Sequence, residues 1–338
     1  MSPDSRIGVK RPLPARIAAH LLTALLVGAC VSPGFAKSDD PAEAEPVAAS
    51  GHALSVEARF RIPVREVSGL ALVPGDTMDI YAVGDSSYEI GRVTIQMPSG
   101  STRIDKVDAT HLFSGHETEA SQWEAVAADG RGRLCVQAEV SAHVSCFSDD
   151  LQTLSGSFDL DPSSIKSLAK LWEKEPNSRG EGMILMKRGH LLLLKEKKPS
   201  LLVEFGPKDE PPMGYGQDTF LAPGEAFARP VQDRLVALNV WEFSNSLESL
   251  AKDASDITVG PDGRVYLLSD ESAIVIRLEG HLKPEEAKVH DSASWKLPAE
   301  IVKPEGLVVD KEMRPWVAVD SKEKDQPNLF RLMRIESP

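Results

Sequence analysis

The chain has 338 residues, of which 41% are hydrophobic and 26% are charged, and its formal net charge is −13. This composition is typical of a globular protein and excludes both a disordered chain and a polytopic membrane protein. The excess of acidic residues argues against nucleic acid as a partner, because phosphate binding needs a cationic surface.

The first segment has the features of a secretory signal. A cationic leader over residues 6–16 precedes an apolar stretch over residues 17–27, which is too short to span a bilayer. A small-x-small tripeptide would give an ordinary signal peptide of residues 1–36. A lipobox-like run would instead give a leader of residues 1–29 and a lipidated Cys30. Both interpretations remain open, and each predicts a periplasmic or extracellular protein that contacts a membrane only through a lipid anchor on Cys30, if at all.

The next segments predict a tether and then a folded domain. Residues 37–52 are rich in Ala, Pro, Asp and Glu, a composition that favours a flexible tether. The predicted domain therefore covers residues 53–338. It begins with a strand-like run over residues 54–62 that belongs to no repeat.

Five copies of one pattern follow. Each copy has a start residue, a short apolar run, a turn, a second apolar run and a closing acid, and in most copies a third apolar run follows, before a more polar fourth. Four antiparallel strands per copy are typical of a β-propeller blade, so the sequence predicts an all-β fold with a single propeller. The start residues are Ser68, Glu124, Glu181, Asp256 and Glu305, and the closing acids are Asp85, Glu139, Glu196, Asp270 and Asp320.

Five blades use the whole predicted domain. The last copy ends after its third strand, and the run over residues 54–62 can supply the fourth, which closes the ring and removes exposed sheet edges. The longest interval between copies contains a Pro- and Gly-rich insertion, residues 207–230, which predicts a surface loop. The alternative is a sixth, degenerate blade built around residues 235–243. We expect a monomer.

Two cysteines lie on neighbouring strand-like runs. Cys135 and Cys146 flank a short turn at residues 140–141, and folding this hairpin brings them opposite each other. In an oxidising compartment they would form a cross-strand disulfide. The other interpretation is a pair of small apolar core residues.

Antiparallel pairing brings the first and the last acid of each copy to the same end of its blade. Because the first strand of a blade lines the central channel, we expect one channel mouth lined by Glu124, Glu181, Asp256 and Glu305, with the closing acids outside them. In one interpretation these acids accept hydrogen bonds from neighbouring blades and lock the ring.

In the other interpretation the mouth binds a ligand or a cation, with calcium as the candidate ion and the same four acids as its ligands. Glu181 and Glu305 are the first candidates because a glycine follows each of them and leaves room for close approach. Arg179 could then bind an anionic group of the ligand.

Two copy starts, Glu181-Gly182-Met183 and Glu305-Gly306-Leu307, resemble those of the SdiA-regulated propeller family. They are also similar to the esterase-like, phytase-associated propellers, which share an acid-Gly-apolar blade start. The resemblance extends as a pattern over residues 54–335, with departures at Ser68, Ala125 and Ile257. It implies a secreted propeller with calcium as a candidate ion, and no particular reaction.

The sequence contains no nucleophile elbow, zinc-binding helix, phosphate loop or dinucleotide fingerprint. We therefore predict an exported bacterial envelope propeller that binds a ligand, a cation or a partner at an acidic channel mouth. The alternative is a metal-dependent hydrolase of esters, lactones or phosphoesters, in which a cation polarises the substrate and a carboxylate acts as base. The sequence leaves open whether the protein is an enzyme.

Overall fold

The computed structural model describes residues 52–75, 77–96, 100–113, 120–196, 199–323 and 325–336. The predicted leader, Cys30 and nearly all of the predicted tether lie outside these residues, so the domain boundaries and the signal stay predictions. No helix in the described ranges is long and apolar enough to cross a membrane.

Two short strands precede the repeats, and the first repeat then forms a four-stranded antiparallel meander, unit one. Its strands alternate or run apolar, as expected for sheets that are packed on one or both faces. The strands are β1 (His52–Ala53), β2 (Val56–Phe60), β3 (Val67–Val73), β4 (Thr77–Gly84), β5 (Ser87–Gln96) and β6 (Thr102–Asp108).

Units two and three follow the same plan. A short helix, α1 (Lys166–Lys174), connects them, and α2 (Asn245–Leu250) leads out of unit three. The strands of unit two are β7 (Trp123–Ala128), β8 (Leu134–Ala138), β9 (His143–Phe147) and β10 (Leu154–Asp161). Those of unit three are β11 (Gly182–Leu185), β12 (Leu191–Lys195), β13 (Leu201–Gly206) and β14 (Arg234–Phe243).

Units four and five complete the series. In unit four the fourth strand is β19, to which β1 adds in parallel, and β18 pairs instead with β14. The strands from the start of unit four are β15 (Ala254–Val259), β16 (Val265–Ser269), β17 (Ile274–Leu278), β18 (Lys288–Val289) and β19 (Asp291–Lys296). Those of unit five are β20 (Pro304–Val309), β21 (Pro315–Val319) and β22 (Leu329–Leu332).

The ring closes as the sequence predicts. Strand β2 pairs antiparallel with β22 and becomes the fourth strand of unit five, with Phe60 opposite Leu329. A separate cluster of buried apolar side chains fills the space between each unit and the next, and one of these clusters joins unit five to unit one through Trp316 and Ile80. The predicted all-β propeller class is confirmed.

The number of blades stays a prediction. The described strands give five four-stranded units, but β10 pairs in parallel with β14, so units two and three share one continuous sheet. Residues 235–243, the centre of the alternative sixth blade, lie in β14, which pairs with β13 as the fourth strand of unit three.

The insertion after β13 is more than a surface loop. It lacks regular structure, yet Tyr215, Phe220 and Phe227 are buried in the clusters on either side of unit three. Glu204, which is itself fully buried, accepts hydrogen bonds from the N–H groups of Met213 and Gly214 at 2.8 and 2.9 Å. The insertion is therefore fixed to the sheet from which it leaves.

The hairpin β8–β9 brings the two cysteines together. Cys135 lies directly opposite Cys146 in the ladder, and their sulfur atoms form a disulfide with an S–S distance of 1.99 Å. Both residues are buried in the core between units two and three.

Candidate functional site

A bulge at the start of the inner strands aims one residue of each unit away from the ladder. The pairing register skips Ser68 in β3, Glu124 in β7, Ser255 in β15 and Glu305 in β20. Glu181 has the equivalent place just before β11, where its N–H donates to the carbonyl of Leu194. A bulge leaves the extra residue unpaired and re-aims its side chain. These five residues, which we call the inner ring, line one cavity.

The cavity, which we call the acidic mouth, has a volume of about 380 Å³. The five closing acids lie on its wall, as antiparallel pairing predicts, because each follows a second strand that ends beside the start of the first. Ten of its described lining residues carry carboxylates. Lys322 is the cation that lines the cavity together with them. The ten are Glu66, Asp85, Glu124, Glu139, Glu181, Glu196, Asp253, Asp270, Glu305 and Asp320.

Asp256, a predicted mouth acid and metal ligand, does not line the cavity. Its side chain is buried, and its two carboxylate oxygens accept the N–H groups of Ile257 and Leu307, both at 2.7 Å. Burial raises the pKa of Asp256, and these backbone donors oppose the rise. Because Leu307 belongs to unit five, Asp256 locks two units together. The structure gives the ring position of unit four to Ser255.

The glycines after the ring glutamates have a packing role. A Cβ atom on Gly182 would lie 2.4 Å from the backbone nitrogen of Ile257, and one on Gly306 would lie 2.7 Å from Cγ of Leu70. Both clashes are with the neighbouring unit, so the absence of a side chain lets adjacent inner strands approach each other. These glycines therefore serve packing between units, which corrects the expectation that they leave room for a ligand.

Arg179, the predicted anion-binding residue, is engaged with the backbone. Its guanidinium donates to the carbonyl oxygen of Trp172 at 3.0 Å and to that of Val140. It is not among the residues that line the acidic mouth. Arg179 therefore supports the wall of the cavity behind Glu139, and its backbone N–H interacts with the Glu139 carboxylate.

Burial and mutual repulsion raise the pKa values of the ring glutamates. Burial, followed by the charges of Glu139 and Asp85, raises the pKa of Glu124 to about 9. Burial, followed by Asp270 and Asp320, raises the pKa of Glu305 to about 8. Burial and four neighbouring glutamates raise the pKa of Glu181 well above its ordinary range. Near neutral pH the inner ring therefore holds protons.

Glu139 and Glu181 form a hydrogen-bonded carboxyl pair at the wall of the mouth. Burial raises the pKa of Glu139 to about 7, and the hydrogen bond from Glu181 counteracts part of that rise. Two carboxyl groups can share a hydrogen bond only when one of them carries the proton. The Glu139 side chain is 7% exposed, and its Oε1 has no hydrogen-bond partner within the described residues.

The lysines near the mouth bind to residues that line it, through ion pairs or a hydrogen bond. Lys322 lies 3.1 Å from Glu66, and Lys303 lies 2.9 Å from Asp320. Lys195 is fully buried and donates to the carbonyl of Glu196 at 2.8 Å. Across the described ranges the ring glutamates Glu124, Glu181 and Glu305 form no ion pair.

The predicted calcium ligands are not preassembled. In the part of the chain that the structure describes, no three His, Cys, Asp or Glu side chains are grouped so that they could hold a metal ion. A calcium ion needs six to eight oxygens at 2.3–2.6 Å. Calcium therefore stays a prediction that would require the carboxylates to move together.

Glu66 and Asp253 both line the mouth, although the repeat pattern did not predict them as site residues. Each lies two residues before a ring position and has a left-handed backbone, with φ values of 49° and 56°. Gln122 and Lys303 have the same place and the same conformation in units two and five. Non-glycine residues are strained in this region, and such strain concentrates at functional sites.

The chain resembles known proteins in its sequence pattern and in its fold. The family model described as SdiA-regulated matches residues 118–334, and no curated protein sequence matches the chain. A solved streptogramin B lyase structure is 11% identical, with 83% of this chain and 97% of the lyase covered and a TM-score of 0.43. The PQQ-bound aldose sugar dehydrogenase from Streptomyces coelicolor is 10% identical, with the same coverage and a TM-score of 0.43. Similarity at this level says nothing about the chemistry of the chain.

Proposed function

The chain belongs to the SdiA-regulated family, and we propose that it is an exported β-propeller of the bacterial envelope that binds a cationic ligand in the acidic mouth. The observation that carries the proposal is the composition of this cavity: ten carboxylates line it, and three ring glutamates at its centre have no ion-pair partner among the described residues. Such crowding costs free energy unless protons or a cation neutralise it.

The geometry favours an organic cation over a bare metal ion. The carboxylates are distributed around a space of about 380 Å³ and are not gathered into a group of three. An ammonium or guanidinium group presents several N–H donors that can reach separate carboxylates. The unpartnered, buried Oε1 of Glu139 is an acceptor that such a donor would satisfy.

Two features support export. The leader precedes a domain whose hairpin β8–β9 carries the Cys135–Cys146 disulfide, and disulfides persist mainly in oxidising compartments. Both cleavage interpretations lead to the periplasm or the cell exterior, and lipidation of Cys30 would tether the propeller to the envelope.

The test is calorimetric titration of the purified protein with agmatine, a guanidinium-bearing amine, and in parallel with calcium chloride. Glu181→Gln/Glu305→Gln keeps side-chain size and removes two ring carboxylates. A bound cation lowers the raised pKa values of these carboxyl groups and displaces their protons, so the titration is done at pH 9, above the pKa of about 8 of Glu305. There we expect agmatine binding to weaken at least about tenfold in this variant, the loss typical of charge-assisted hydrogen bonds. A matched variant, Glu285→Gln/Glu336→Gln, removes two exposed carboxylates outside the mouth and should bind like the wild type.

Failure of the wild type to bind either cation would refute the proposal, and so would unchanged binding by the ring variant. If calcium binds and agmatine does not, the ligand class is wrong although the site is right.

A second candidate function is favoured by the Glu139–Glu181 pair. A protonated carboxyl beside a carboxylate with a pKa near neutrality is suited to general acid–base catalysis, as the hydrolase alternative requires. Turnover of chromogenic esters or phosphoesters that is abolished by Glu139→Gln would support it. Binding of agmatine without turnover of any of these substrates would favour the non-catalytic function.

A further inference from the structure

The segment between β2 and β3 is held in one conformation by Asn328. The Asn328 side-chain carbonyl accepts the N–H of Ile62 at 2.9 Å, and its amide group donates to the carbonyls of Ile62 and Val64 at 3.1 and 3.2 Å. Ile62 and Val64 are buried in the cluster that joins unit five to unit one. The segment is therefore fixed at both its backbone and its apolar side chains.

The segment also carries two arginines, whose side chains face away from the core that buries Ile62 and Val64. Arg61 and Arg65 are exposed, and the buried Ile62 and Val64 lie between them. Within the described ranges neither arginine forms an ion pair or a side-chain hydrogen bond. Two cations without an ion-pair partner in these ranges are unusual beside a cavity with ten carboxylates.

Both arginines line a second cavity, which has a volume of about 490 Å³. Its other cations are already paired: Lys106 with Glu89 at 2.5 Å and Lys322 with Glu66 at 3.1 Å. Glu323 also lies on its wall, and the hydroxyls of Ser86 and Ser87 add polar groups there. The charges that remain for a ligand are those of Arg61 and Arg65 and the opposing carboxylate of Glu323, so the cavity keeps an excess of positive charge.

The second cavity adjoins the acidic mouth. Glu66 and Lys322 line both cavities, so the wall between them is the Glu66–Lys322 ion pair. A ligand that extends past this ion pair from one cavity into the other would meet acidic groups on one side and basic groups on the other.

We propose that Arg61 and Arg65 form an anion subsite for the ligand of the acidic mouth, so that the ligand is bipolar: an ammonium or guanidinium group binds the ring and a carboxylate or phosphate group binds the arginines. Guanidinium forks suit such oxyanions because they present parallel N–H donors. The inference rests on the proposed function, which supplies the cationic end.

Arginine and agmatine make a matched pair of probes, because they differ in the carboxylate alone. We expect the wild-type protein to bind both. In Arg61→Ala/Arg65→Ala, arginine binding should weaken about tenfold or more, whereas agmatine binding should not weaken, because removal of two cations leaves the mouth more negative. The control variant Arg229→Ala/Arg334→Ala removes two exposed arginines that line neither cavity and should leave both affinities unchanged.

The outcomes separate the two proposals. If agmatine binds and the Arg61/Arg65 variant retains wild-type affinity for arginine, the anion subsite is wrong and the cationic site stands. If both ligands weaken equally in that variant, the arginines support the cavity as a whole and the subsite is again wrong. If neither ligand binds the wild type, the proposed function fails and the subsite fails with it.

Discussion

The Ser255 hydroxyl donates a hydrogen bond of 2.7 Å to the carbonyl oxygen of Pro304. Ser68 makes the same bond to Trp123. Trp123 and Pro304 each directly precede a ring glutamate, so both serines attach their own unit to the start of the next ring position. A hydroxyl at these two places keeps the ring intact and adds no further negative charge beside Glu124 and Glu305.

Asp256 should behave as a structural residue. Replacing it with Ala leaves the N–H groups of Ile257 and Leu307 buried without an acceptor, so we expect Asp256→Ala to lower the free energy of unfolding by about 3 kcal/mol in urea titrations. Asp256→Asn retains one acceptor and should cost less. Agmatine affinity of the folded Asn variant should equal that of the wild type, and a loss of affinity would return Asp256 to the binding site.

Asn328 should be as important for closure of the ring as the strand β2 itself. Its side chain makes three buried hydrogen bonds to residues 62–64, so Asn328→Ala is expected to lower the free energy of unfolding by about 3 kcal/mol. Gln326→Ala, an exposed neighbour, serves as the control. Equal melting temperatures for the two variants would show that the clamp contributes nothing.

The disulfide should stabilise the β8–β9 hairpin through the unfolded state. Cys135 and Cys146 are 11 residues apart, and closing a loop of this length is worth about 3 kcal/mol in the chain-entropy model. Cys135→Ser/Cys146→Ser should unfold at lower guanidinium concentration than the wild type. Adding dithiothreitol should then bring the wild type toward the variant and leave the variant unchanged; a response of the variant to dithiothreitol would point to another origin.

The repeat spacing was sufficient to predict the strand order, the closing strand and the gathering of acids at one end. It misplaced unit four by one residue, because Ser255 and Asp256 both fit a polar start and only the bulge distinguishes them. If Ser255 is the start of unit four, it lies 15 residues before the closing acid Asp270. The same separation joins Glu124 to Glu139 in unit two.

The polar residues two places before each ring position carry a second signal. They are Glu66, Gln122, Arg179, Asp253 and Lys303. If Asp256 were the ring residue of unit four, the residue two places before it would be the apolar Ala254, and the pattern would break. The anion subsite had no comparable signal. Arg61 and Arg65 lie beside the mouth because contacts distant in sequence fix their segment, among them the hydrogen bonds from Asn328, more than 260 residues away in the chain.

The raised pKa values of the mouth predict that stability falls as pH rises. The pKa values of Glu139, Glu305 and Glu124 are about 7, 8 and 9 in the folded protein, against an ordinary value near 4.5. Between pH 5 and 7 the unfolded chain has lost these protons and the folded protein keeps them. The folded state thus binds more protons, and the free energy of unfolding decreases by up to about 1.4 kcal/mol per pH unit for each such group.

Stability from this source is complete below about pH 4.5 and is lost as pH rises through the folded pKa values. We therefore expect the melting temperature to fall steadily from pH 5 to pH 9. Glu124→Gln, which is neutral throughout, should reduce the slope, whereas Glu285→Gln, which removes an exposed carboxylate, should not. Agmatine should restore more stability at pH 9 than at pH 6, because ionised carboxylates bind a cation and protonated ones do not. A melting temperature that rises over this range would contradict protonation of the ring.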